Sequence, residues 1–136
     1  MYEPIRTKSV HSLADDATYP HRSREEELDI QLAAHLAALL AVTDELRALA
    51  PAADLDDAAE QLSSEVARLR GGLPPVRSAV VTAIHEPHLT ALHQRAHALA
   101  GRALVVAASR ADTAAAILAA RRMDAHAGAA HLVGAH

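Results

Sequence analysis

From Leu28 to Leu49 the apolar positions recur in steps that alternate between four and three: Leu28, Leu32, His35, Leu39, Val42, Leu46, Leu49. An α-helix gathers such positions on one side, and a seam this regular has to be covered by another helix. The seam opens on SREEELD, where Ser23 stands three residues before Glu26. That is the spacing of a capping box, with acidic side chains at the positive end of the helix dipole. Pro51 stops it. The alternation then resumes through Leu55, Ala59, Leu62, Val66, Leu69 and Leu73, with Asp54 the expected N-cap and Gly71-Gly72 the expected stop.

Beyond Gly72 the text reads LPPVRSAVVTAIHEP. Pro74 and Pro75 suit a helix start, and Pro87 either kinks that helix or divides it from the next. The stretch 88–127 holds no proline and only Gly101. Its seam is built of small residues, Ala96, Ala100, Ala103, Ala107, Ala111 and Ala114, flanked by Leu89, Leu92, Leu99, Val106 and Ile117. Unbroken it would be about 60 Å long, more than its partners can cover. The segment SRAD at 109–112 offers a second capping box, so a break is expected there. Nothing alternates with the period of two that a half-buried strand requires.

These features predict an all-α fold: a helical bundle of four to five helices over 23–127, an irregular N-terminal arm over 1–22 and a frayed C-terminal tail over 128–136. At 136 residues the chain suits one domain. Its core palette is narrow. Phe and Trp are absent, and both tyrosines, Tyr2 and Tyr19, lie in the arm. Leu, Val, Ile and Ala remain, so the core fills by close approach of helix backbones. The Ala and Arg richness resembles that of proteins from high-GC bacterial genomes.

Charge narrows the function classes. The formal net charge is −4, acids and bases are interspersed, and Arg121-Arg122 stands out as a basic doublet. Nucleic-acid binding normally needs a basic stripe to neutralise phosphates, and aromatic rings to stack on bases are missing from the helical body. The apolar runs are far shorter than the roughly 20 residues that span a bilayer, and MYEPIRTKSVHSLADDATYPHRS contains no apolar core of a secretory signal. A cytoplasmic location, with no nucleic acid and no membrane as partner, is expected. Without cysteine there is no disulfide and no thiolate chemistry. Ten histidines would carry the formal charge from −4 towards +6 if all titrated near pH 6.5, which predicts a pH-dependent solubility or self-association.

The stretch HEPHLTALHQRAH raises the question of a metal. His93 and His97 are four apart and share a helix face, the spacing that chelates a divalent ion. His88 points about 140° away from His93, and His85 lies too far along the axis. Glu86 stands about 10 Å from His93 along the axis and serves only if Pro87 bends the chain back. Zinc needs three or four ligands, so the third ligand would be His35 from the first seam, with Zn or Ni, or else Co or Cu, as occupant. The opposing reading has His35 hydrogen-bonded to a neighbouring carboxylate or hydroxyl and His93 and His97 facing water. Di-iron chemistry is excluded by the absence of any Glu-x-x-His. Ser63, Ser64, Ser78 and Ser109 lack a nucleophile elbow, and Asp15-Asp16 and Asp56-Asp57 read as solvated pairs.

Without a catalytic constellation, the sequence points to a non-enzymatic helical bundle with no cofactor, acting by association with itself as a homodimer or with another helical protein. Two alternatives stand beside it: a transition-metal binder using His35, His93 and His97, and a carrier or regulator of a small apolar ligand.

Overall fold

The computed structural model describes residues 23–77 and 86–134, with side chains over 23–77 and 88–130. The expected N-terminal arm lies outside the described residues. Among the described residues four helices follow one another: α1 (Arg24–Leu49), α2 (Ala53–Leu69), α3 (Glu86–Arg110) and α4 (Thr113–Gly134). The fold is an all-α helical bundle, and α4 continues through Gly128 to Gly134 rather than ending near 127.

Each boundary has a local cause. At the start of α1 the Glu26 N–H donates to Ser23 Oγ (3.1 Å) and the Ser23 N–H donates to Glu26 Oε1 (3.0 Å), a reciprocal capping box. At the end of α2, Gly71 and Gly72 take φ of +70° and +95°. There the Gly72 N–H reaches back to the Ala67 carbonyl (2.7 Å) in a Schellman turn. The break between α3 and α4 has the same geometry with an unusual residue. Ala111 sits at φ +59°, and the Asp112 N–H donates to the Ala107 carbonyl (2.9 Å). Asp112 then caps α4, accepting the Ala115 N–H (3.1 Å). The break was expected, but its cap is Asp112; Ser109 instead donates to the Val105 carbonyl (3.0 Å).

Ion pairs give the helix directions. Arg110 at the end of α3 meets Asp29 near the start of α1 (3.0 Å), and Arg68 at the end of α2 meets Asp112 before α4 (2.7 Å). Neighbours therefore run antiparallel around the ring α2, α1, α3, α4, and α2 and α3 point the same way across it. This up-down-down-up order needs one long crossover. Residues 73–77 have no helical structure, and Arg77 salt-bridges Asp44 on α1 (2.7 Å). Pro74 and Pro75 therefore start no helix: eight residues from 70 to 77 must climb back along α2, about 25 Å long, which only extended chain can do.

The core fills as the seams require. Leu32, Leu39, Val42, Leu46 and Leu49 are buried, and Leu36 and Leu40 join them because α1 lies between α2 and α3 and needs a wide apolar face. Ala96, Ala100, Ala103 and Ala107 of α3 are wholly buried, so α3 and α4 form the closest-packed pair. Ala111 and Ala114 are exposed, against expectation, because the left-handed turn at Ala111 resets the phase and α4 buries Ala115, Leu118 and Ala119 instead. Leu73 is 62% exposed because its helix has already ended. Among the described residues no helix is long and apolar enough to cross a membrane.

Candidate functional site

Of the polar side chains buried among the described residues, Thr43 on α1 donates to the Leu39 carbonyl (2.8 Å), and the other two, Arg122 and His126, lie where α3 and α4 meet. His93 and His97 project from α3, and Arg122 and His126, four residues apart, project from α4 on the face that also buries Ala115 and Ala119. Arg122 is 4% exposed and His126 is 1% exposed. A charge taken so far from water needs partners. Arg122 Nη1 donates to Asp54 Oδ2 in the first turn of α2 (3.0 Å), and Nη2 donates to His126 Nε2 (3.2 Å). The other ring nitrogen of His126, Nδ1, stands 3.0 Å from Nδ1 of His93, with ring centroids 5.3 Å apart and tilted by 41°.

The proton positions follow from donor chemistry. A guanidinium has no lone pair to offer, so His126 Nε2 must be the acceptor. Neutral His126 therefore carries its proton on Nδ1 and donates it to His93 Nδ1, which leaves the His93 proton on Nε2. His97 Nδ1 donates to the Met123 carbonyl (2.9 Å), so in neutral His97 the lone pair is on Nε2. The result is a hydrogen-bonded chain that joins three helices: Arg122 donates both to Asp54 and to His126, and His126 donates on to His93.

Its electrostatics keep the imidazoles neutral. Burial, then the Arg122 cation, then His93 push the His126 pKa down to about 4. Burial first and Arg122 second also hold His93 below the usual histidine range. One cost remains, since Arg122 Nε is buried with no hydrogen-bond partner.

The sequence-derived ligands are arranged differently. His93 and His97 do share a face, but both Nδ1 atoms are committed to α4, one to His126 and one to backbone. His35 is half-buried on α1, and among the described residues none hydrogen-bonds to it. Among those residues, too, no three His, Cys, Asp or Glu side chains are grouped to hold one metal ion, so His35, His93 and His97 do not form a ligand set here. The guanidinium of Arg122 also sets a fixed positive charge beside the imidazole pair, which disfavours a cation. Sequence reasoning missed His126 and Arg122, although a signal existed: positions 115, 119, 122 and 126 keep the alternation of four and three. Asp54 makes no N-cap, because Ala52 holds that position and the Asp54 carboxylate is spent on Arg122.

The surface offers shallow clefts. One of about 490 Å³ lies between α2 and α4, walled by Asp57, Glu60 and Ser64 on one side and Ala114, Ile117 and Arg121 on the other. A second, of about 300 Å³ and almost wholly apolar, runs along Ala107, Ala108, Ala111, Ala116 and Ala120 at the corner of α3 and α4. Ile117 borders both and is 48% exposed. No family model matches the chain, and no curated protein and no solved structure matches it either.

Proposed function

We propose that this protein is a non-enzymatic helical bundle that acts by associating with another helical surface, first of all a second copy of itself. The observation that supports this is the way α4 is held. It packs closely on α3 but meets α2 chiefly through the Arg122–Asp54 ion pair, with Arg68–Asp112 at its start, so among the described residues Ile117 stands half-exposed on a ridge between two clefts. A second helix laid against that ridge removes apolar surface from water, the dominant favourable contribution to most protein association. The Asp54–Arg122–His126–His93 chain, buried at Arg122 and His126, serves this role from within, since it fixes the register of α4 against α2 and α3. Both nitrogens of His126 are occupied and its ring is enclosed, which suits a structural polar contact rather than proton transfer to a substrate. A cytoplasmic location belongs to the same proposal.

The test is the mass in solution at low and high micromolar concentration, by sedimentation equilibrium. Twice the chain mass of 14.3 kDa, rising with concentration, is the expected result. A mass of 14.3 kDa throughout would remove homodimerisation as the mode of action.

A further inference from the structure

We infer that the α2–α4 cleft is the contact face, and that a second copy of the chain fills it about a two-fold axis running along the bundle. This rests on the association proposed above and specifies its surface. Three features of the cleft carry it. Among the described residues the ring of four helices is packed on three sides and open on this one, where α2 and α4 are tied by Arg68–Asp112 and Arg122–Asp54 with the cleft alongside. The open side also has Ala114 and Ile117 facing outward, small and apolar enough for a foreign helix to approach closely.

The charges of the two walls are the second feature. Asp57 and Glu60 are exposed on α2, Arg121 is exposed on α4, and among the described residues none of the three makes an ion pair. One wall is acidic and the other basic, yet they do not satisfy each other within one chain. A two-fold interface places each wall against the opposite wall of its mate, so every such contact is made twice.

Register is the third feature and selects the axis. The Arg122–Asp54 bridge puts Arg121 at nearly the same height as Asp57. A two-fold axis along the bundle preserves height, so Arg121 of each copy meets Asp57 and Glu60 of the other. The paired α4 and α2 then run antiparallel, as every neighbouring pair in the bundle already does. A perpendicular axis through Ile117 would instead bring Arg121 to the level of Ala114, where α2 presents the Ser64 and Glu65 end of the cleft.

The chain has no cysteine, which makes disulfide trapping clean. Asp57→Cys and Arg121→Cys proteins, prepared separately, are mixed and oxidised. A cross-linked species containing one of each is the expected product, and efficient self-linking of Arg121→Cys alone would overturn the proposed axis. In parallel, Arg121→Glu should weaken the dimer by about tenfold or more, and adding Asp57→Arg with Glu60→Arg should recover most of that loss. All three positions are exposed, so helical content by circular dichroism should be unchanged. A wild-type dimer indifferent to Arg121→Glu and to Ile117→Asp would place the contact elsewhere while leaving association itself intact. A wild-type monomer at every concentration would end both.

Discussion

His126 is the residue whose surroundings make the sharpest demand on the chain. Its folded pKa of about 4 lies below the ordinary histidine value near 6.5, so between those limits the unfolded chain binds more protons than the folded one. Stability from neutral His126 is fully present above about pH 6.5 and is lost as pH falls towards 4, by up to about 3 kcal/mol. His93, also held down, adds to the same window. Asp44 and Asp112, whose carboxyls are pulled below their usual 3.8 by Arg77 and Arg68, lose their share only beneath that value. Urea unfolding at pH 7.5, 5.5 and 4.5 should therefore show a midpoint that drops steadily. In His126→Leu the drop should be much smaller, on a protein about 1–3 kcal/mol weaker at pH 7.5 from the orphaned Arg122 and His93 atoms. An equal drop in the variant would move the proton uptake to other groups. Arg122→Met should raise the His126 pKa by removing the adjacent cation, read from ring-proton NMR shifts across the titration.

At the scale of the helix, the joint between α3 and α4 is held in a conformation its residue dislikes. Ala111 at φ +59° carries a Cβ into the left-handed region, a strain of roughly 1 kcal/mol that glycine does not feel. Ala111→Gly should raise the thermal midpoint, and a lower midpoint would mean that the turn is not strained. The opposite exchange applies inside α3. A Cβ at Gly101 would meet only the flexible end of Met123 at 3.7 Å, ordinary contact, while the helix would gain propensity. Gly101→Ala is expected to stabilise by about 0.5–1 kcal/mol in chemical denaturation. Gly71 and Gly72 allow no such exchange, since their positive φ closes the Schellman turn.

For the molecule as a whole, the absence of large rings decides how the bundle is packed. Leucines of α1 supply volume, and the alanine faces of α3 and α4 supply proximity. Enlarging a buried alanine forces the closest pair apart. Ala103→Leu is expected to cost about 1–3 kcal/mol, measured as a lowered urea midpoint, and an unchanged midpoint would show that α3 and α4 have room between them. The charge excursion inferred from ten histidines is also smaller than their number suggests, because His126 stays neutral down to about pH 4.

The chain on its own determined most of what depends on neighbours a few residues away, though not which residues begin α2 and α4. The helix class, the Ser23 capping box, the stop at Gly71-Gly72 and the break near 109–112 all rest on contacts within about six positions, which spacing and propensity encode directly. The seams were legible for the same reason, down to the burial of Leu32, Leu39, Leu46 and Leu62. Three things were decided only in three dimensions. His93 meets His126 across 33 positions, and Asp54 meets Arg122 across 68, so neither pairing leaves a local trace. The phase of α4 depends on one left-handed residue, which turns Ala111 and Ala114 outward and brings Arg122 and His126 in. The crossover past Pro74 and Pro75 is extended because the two hairpins lie with α2 and α3 pointing the same way. That arrangement is a property of the packed bundle, and no window of the sequence contains it.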